Sequence, residues 1–155
     1  MSTRSRAGIT LIELLVVVAL VAILAGISFP ALSAGIESLR LSQASDDIVT
    51  FLNSALTRAD RRQQVMEITI SVAEKSLTVR SSDGAWVRTL AVPKGVTLER
   101  VLPEVAGEQA ATRHFFVYPG GTPPRIGVEI ANAKGVGRLV QVDPISGAAR
   151  VERTR

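Results

Sequence analysis

One acidic side chain in this sequence stands where chemistry or assembly must account for it. Glu13 lies five residues past Gly8, at the head of an apolar run that extends to Pro30 behind a short leader carrying Arg4 and Arg6. A carboxylate at the mouth of such a run is costly to bury unless it is paired, so an ionisable group there points to function and to a charge partner. The rest of the chain offers little catalytic material. His114 is the sole histidine, held between Arg113 and Phe115, so a metal cluster would lack its commonest ligand. With no cysteine there is neither a disulfide framework nor a thiol nucleophile. Nucleophile elbows, phosphate loops and dinucleotide fingerprints are absent, and Gly135-Val136-Gly137 is too short for one and reads as a turn. Asp46-Asp47 reads as solvated helix surface. Asp83-Gly84 and residues 143–147 could offer calcium oxygens, but ordinary turns use the same residue types. No enzyme, cofactor or metal is expected.

The element that carries Glu13 must first be able to form. Residues 9–32 include fifteen Leu, Ile, Val or Phe, each contributing roughly −0.3 to −0.6 kcal/mol to membrane insertion against about +2.5 to +3.5 kcal/mol for a central acidic group. Insertion wins. Residues 9–29 number twenty-one, enough at ~1.5 Å per residue to cover a ~30 Å hydrocarbon layer. The next positive charge after Arg6 is Arg40, which places the N-terminus in the cytoplasm and the remainder outside. A cleaved secretory signal shares the basic start, but Glu13 would fall inside its apolar region and the run exceeds the usual length.

Past Pro30 the pattern becomes one-sided. Leu41, Ala44, Ile48, Phe51 or Leu52, Ala55 and Ala59 recur at three- and four-residue spacings, while Glu37, Arg40, Asp46, Asp47 and Arg58 fall mostly elsewhere. This is an amphipathic helix whose stripe faces a core, continuing to about Gln64. Pro30 cannot donate to the carbonyl of Gly26, itself a weak helix former, so a kink or local melting is expected between them. At Val65 the period switches to two: Met66, Ile68, Ile70 and Val72 alternate with Glu67, Thr69 and Ser71. Further strands are expected at 77–80, 85–92, 96–102, 113–118, 126–130, 138–143 and 149–153, with an exposed connection at 103–112 and a proline-rich loop at 119–125. The fold class is α+β: one long helix, first half transmembrane and second half amphipathic, packed on antiparallel β-sheet.

The stretch Gly8-Ile9-Thr10-Leu11-Ile12-Glu13-Leu14-Leu15-Val16-Val17 closely resembles the leader and cleavage motif of type IV pilins and type II secretion pseudopilins. Phe115-Phe116-Val117-Tyr118-Pro119-Gly120-Gly121, Ile126-Gly127-Val128, 138–143 and Ser146-Gly147-Ala148-Ala149-Arg150-Val151 look like the domain shared by type II secretion protein H and certain minor type IV pilins. The resemblance implies a type IV pilin-like fold and four segments: a leader at 1–8, a transmembrane helix half at 9–29, an amphipathic half at 30–64 and a periplasmic β-rich domain at 65–155. It implies that a prepilin peptidase cuts between Gly8 and Ile9 and N-methylates Ile9, where the family most often has phenylalanine. Glu13 and Pro30 then take the places of the family's fifth-position glutamate and helix-kinking proline.

Cleavage would create an α-amino group at Ile9, largely cationic at neutral pH with an ordinary pKa of ~7.7 to 8.0. In the family the glutamate of one subunit pairs with such an N-terminus of a neighbour, which offsets the burial of both ions. Glu13 is thus expected to serve assembly. The partners implied are prepilin peptidase, other pilin or pseudopilin subunits, inner-membrane lipid and an exported protein substrate, in a minor pseudopilin of the secretion filament. Minor pilins with this domain also include DNA receptors, and Arg150, Arg153 and Arg155 would be the weak DNA contacts here. Gly147 is followed by two alanines and Glu152 interrupts the run. Removing Arg4 and Arg6 from the formal charge of +4 leaves +2, too little to argue for nucleic acid as a partner.

Overall fold

The computed structural model describes residues 10–104 and 112–153, apart from the side chains of 27–34 and 153. A single helix, α1 (Leu11–Arg62), precedes eight strands: β1 (Met66–Ser71), β2 (Ser76–Ser81), β3 (Val87–Ala91), β4 (Val96–Leu102), β5 (Thr112–Val117), β6 (Gly127–Asn132), β7 (Gly137–Val142) and β8 (Ala149–Arg153). The chain divides into two compact units, Met1–Ile36 and Glu37–Arg155. The amphipathic half of α1 therefore belongs with the strands, and the unit boundary falls at Glu37.

Both ends of α1 have a local cause. The Thr10 hydroxyl accepts the Glu13 amide at 3.3 Å, and the Thr10 carbonyl accepts the amides of Glu13 and Leu14. Thr10 is thus the N-cap in a Thr-x-x-Glu arrangement, which satisfies one donor left over by the first turn. At the other end Gln63 adopts a left-handed backbone with φ 51°, and the Gln64 amide bonds to the Ala59 carbonyl at 3.2 Å. That six-to-one bond is a Schellman stop, built here without glycine. Between these ends α1 passes through Gly26 and Pro30 without a break in its helical backbone, so the expected local melting is not seen. Proline removes one amide from the ladder, and the backbone is helical on both sides of it.

In the unit Glu37–Arg155 the stripe expected from the sequence is the buried face. Leu41, Ala44, Ile48, Phe51, Leu52, Ala55 and Ala59 all lie in the core, with both Phe51 and Leu52 inside. Small residues at 44, 55 and 59 let the helix approach the strands, while burying Ile48 and Leu52 contributes about 1.5–3 kcal/mol each. Ser45 is buried with them and donates its hydroxyl to the Leu41 carbonyl at 2.7 Å, so it brings no unsatisfied group.

The strands form two four-stranded antiparallel sheets, ordered β3-β2-β1-β5 and β4-β6-β7-β8. In the first, Ile68 lies opposite Val79 on one side and Phe115 on the other. Met66, Ile68 and Ile70 point into the core while Glu67 and Thr69 face out, the alternation read from the sequence. In the second, β6 is central and nearly all buried. Gly127 pairs with Leu102, and a Cβ there would stand 2.9 Å from the Leu102 Cβ, so the close approach of β4 to β6 requires glycine. The register shift between Leu98 and Arg100 marks a bulge in β4. The chain switches sheets three times, after β3, after β4 and after β5. Residues 119–125 form the expected strand-free loop, and the core of the connection after β4, residues 105–111, lies outside the described residues.

Candidate processing and assembly segment

The expected cleavage and methylation position, Gly8 and Ile9, lies outside the described residues. The first turns of α1, just beyond it, have a distinct character. Every side chain of residues 10–26 is exposed, including Leu11, Ile12, Leu14, Leu15 and Leu24, each at 58% or more. A helix that is apolar on all sides is stable only when lipid or other helices cover it. On one face Leu11, Leu14, Leu15, Val18, Ala19 and Ala22 form an apolar groove at helical spacing, and its two alanines leave room for a neighbouring backbone. Among the described residues no helix is long and apolar enough to cross a membrane. The expected span 9–29 starts and ends outside the described side chains, and its described part, 11–26, is shorter than the ~20 residues a span needs.

Glu13 sits in the first turn of α1, exposed, with its backbone amide held by Thr10. Two physical effects favour a carboxylate there. It faces the positive end of the helix dipole, and within the single chain it is accessible to a cation from outside. Thr10 escaped notice in the sequence because the carboxylate three residues on drew the functional reading. The Thr-x-x-Glu spacing was the available signal. Gly26 and Pro30 lie within the helix as described above, and nothing gathers around the Gly26 Cα.

The remaining candidates resolve into surface and turn roles. His114 is exposed on the outer face of the first sheet, its Nδ1 2.9 Å from Glu67 Oε1 and 3.3 Å from Thr69 Oγ1. These are cross-strand neighbours of β1 and β5, and among the described residues no group of three metal-ligating side chains assembles. Asp83 accepts hydrogen bonds from the Ser81 hydroxyl at 2.5 Å, the Ala85 amide at 3.0 Å and the Gln64 side chain at 2.9 Å. The Ser81 bond above all, then that of Ala85, holds its carboxyl below the usual range. Asp143 likewise accepts the amides of Ile145 and Ser146 within its own turn. Arg150 forms an ion pair with Asp143 and donates to Ser146 Oγ at 3.2 Å, so its guanidinium is engaged by the turn before β8. The Arg153 side chain and Arg155 lie outside the described residues.

Two contacts that tie α1 to the strands carried no sequence signal. Asn53 donates to the Ala149 carbonyl at 3.3 Å and accepts the Ala149 amide at 2.8 Å, so a helix side chain clasps both backbone groups at the start of β8. The Arg58 guanidinium lies over Trp86, 4.2 Å from the ring centroid. Asn on a half-exposed helix face and one tryptophan before a strand look ordinary until the fold brings their partners across.

The comparisons with known proteins agree with this layout. Residues 3–29 match the prokaryotic N-terminal methylation motif. The minor pseudopilin EpsH from the type 2 secretion system of Vibrio cholerae has a similar structure, with a TM-score of 0.57 and 14% identity over 74% of this chain and 97% of that one. The type IV minor pilin FimU of Pseudomonas aeruginosa is similar at a TM-score of 0.52 and 16% identity, over 77% of this chain and 91% of that one. Among curated proteins, none matches the chain. The chain thus joins a prokaryotic N-terminal methylation motif to an α+β fold similar to those of the minor pseudopilin EpsH and the type IV minor pilin FimU.

Proposed function

We propose that the chain is a minor pseudopilin, a non-enzymatic subunit of a type II secretion filament that takes part in protein export. The observation that carries this reading is the coupling of a methylation motif at 3–29 to a fold similar over 97% of a secretion-system minor pseudopilin. In this reading a prepilin peptidase cleaves after Gly8 and methylates Ile9. The helix then anchors the chain in the inner membrane, and Glu13 meets the cationic N-terminus of a neighbouring subunit as the helices pack. The domain itself stays in the periplasm, where it contacts other subunits and exported protein. Placement in a type IV pilus is the second reading, supported by the similarity to FimU. DNA uptake has less support, because Arg150 is engaged by Asp143 and Ser146.

The primary test is the mass of the mature N-terminus after expression with and without prepilin peptidase. Loss of residues 1–8 with gain of one methyl group is expected only when the peptidase is present, and an intact Gly8-Ile9 bond in its presence would overturn the reading. A second measurement uses Glu13→Leu. That variant should be cleaved and inserted normally but incorporated into filaments at least tenfold less, and wild-type incorporation would remove Glu13 from assembly. Loss of exoprotein secretion in a deletion strain, with surface pili intact, selects the secretion filament over the pilus.

A further inference from the structure

Within Glu37–Arg155 the turns after β1, β3 and β6 gather at one end, where α1 begins its run through the unit. The Val92 amide donates to the Lys75 carbonyl at 2.8 Å, which joins the turn after β1 to the chain that leaves β3. Val96 stands opposite Asn132 in register, which sets the turn after β3 beside the turn after β6. The start of α1 in this unit is fastened to the same place. The Arg40 guanidinium packs against Gly95, 3.8 Å from where a Cβ would stand, Lys134 pairs with Glu37 at 3.3 Å, and Arg138 donates to Ser42 Oγ at 3.2 Å.

This end collects cations. Arg40, Lys75, Lys94, Lys134 and Arg138 stand there against Glu37 and Glu74, and Glu37 is already engaged by Lys134. Glu152, opposite Leu139, is the next carboxylate back along β8. Among the described residues Arg40, Lys75 and Lys94 are exposed and take part in no ion pair. Exposed apolar side chains lie among the charges, Leu39 at 70% and Val136 at 56%. The Asn132 side chain accepts the amides of Lys134 and Val136, each at 3.0 Å, so the turn that presents one cation and one apolar group has a fixed shape.

We propose that this end of the domain docks on the anionic headgroups of a lipid bilayer, with Arg40, Lys75, Lys94 and Lys134 on the phosphates and Val136 at the acyl boundary. Cations interspersed with exposed apolar groups match a surface that is anionic outside and apolar beneath. The choice of this bilayer as occupant rests on the anchored reading proposed above. Residues 30–36 join the expected span to this unit, at most about 25 Å of chain even when fully extended at ~3.3–3.6 Å per residue. Connectivity alone therefore keeps the cationic end within reach of the headgroups, whatever angle the anchor adopts. Each Lys or Arg near such a surface raises partitioning about fivefold, so a few cations suffice for a domain that is already tethered. Docking restricts the orientations that the tethered domain samples.

The chain has no cysteine, so one engineered thiol reports one site. Full-length chain with Ala133→Cys, exposed in the turn after β6, carries a fluorescent label in vesicles of phosphatidylcholine alone or with one third phosphatidylglycerol. Quenching by aqueous acrylamide should fall at least threefold in the anionic vesicles and recover in 1 M salt, where the screening length shrinks to about 3 Å. A label at Ser82→Cys, exposed at the opposite end beside Val65, should be quenched equally in both. Lys75→Glu combined with Lys94→Glu should abolish the protection at 133 and create it in vesicles with one third cationic lipid, a reversal that a misfolded chain could not produce. Equal quenching at 133 in neutral and anionic vesicles would overturn the inference, as would protection that survives the charge reversal. Protection that follows the protein-to-lipid ratio and not the lipid charge would also overturn it and assign this end to contact between copies. Flotation is read on the same samples. A chain that floats with both vesicles but is unprotected in the anionic ones overturns only the docking. One that floats and is protected only with anionic vesicles overturns only the anchored reading, and one that floats with neither overturns both.

Discussion

Up to Gly26, α1 presents apolar side chains on every side, whereas from Leu41 onward it presents them on one side only. Both stretches are helical, but different things stabilise them. In the later stretch Ile48, Leu52 and their neighbours are buried by the chain's own strands, and Asn53 and Arg58 add polar clasps at the margin. In the earlier stretch nothing in the described chain covers Leu11 to Leu24. One segment is folded by its own domain, and the other needs an apolar solvent or other subunits. A single helix can therefore serve as core element and as attachment because the change in hydrophobic periodicity assigns each turn to one role.

The sharpest way to break this comparison is a pair of matched truncations. Leu52→Ala should lower the unfolding free energy of the domain by about 2–5 kcal/mol, while Leu15→Ala should leave it within about 0.5 kcal/mol of wild type. Denaturant unfolding of the full chain in detergent, followed by the fluorescence of Trp86, the sole tryptophan, reads both. Equal losses would mean that the two stretches share one cooperative core. A smaller effect sharpens the margin. Asn53→Ala removes both partners of the Ala149 backbone and should cost about 1–3 kcal/mol, with faster amide exchange at the start of β8. The smallest effect is a pH dependence. Because the folded-state pKa of Asp83 lies below its ordinary value, its contribution is present above about pH 4 and is lost as pH falls through the lower folded value. Asp83→Asn should flatten that part of the acid unfolding profile read at Trp86, and an unchanged profile would show that the turn adds nothing to the helix end.

How much of this was legible in the sequence depends on the range of the interactions concerned. The stripe Leu41 to Ala59 and the alternation Met66, Ile68, Ile70 were readable because burial on one face imposes a period. All eight strands were expected within about two residues of their observed ends. The proline-rich loop at 119–125 was readable because proline cannot enter a ladder. The partners of those strands were not readable. β1 pairs with β2 next to it and with β5 some forty-five positions away, and no local pattern encodes the second choice. The helix end was expected at about Gln64, two residues past Arg62, but its capping geometry was not readable because Gln63, and not glycine, takes the left-handed position. Of the kink or local melting expected at Gly26 and Pro30, melting is not seen, because α1 stays helical across both residues. At the candidate segment, spacing exposed Glu13, but its cap by Thr10 and the engagement of Arg150 by Asp143 needed the folded chain.

The repeated switching between sheets affects how the domain comes apart. β4 cannot join β6 unless the chain leaves the first sheet, and β5 cannot close on β1 unless the chain returns from the second. Strands of the two layers therefore alternate along the covalent backbone, and neither layer can peel away as a separate module. Such interleaving couples the loss of one sheet to the loss of the other, so Glu37–Arg155 should lose protection against hydrogen exchange as one unit. For a domain held at one end and pulled at the other, that interdependence is a mechanical property: a load on either sheet is shared by both.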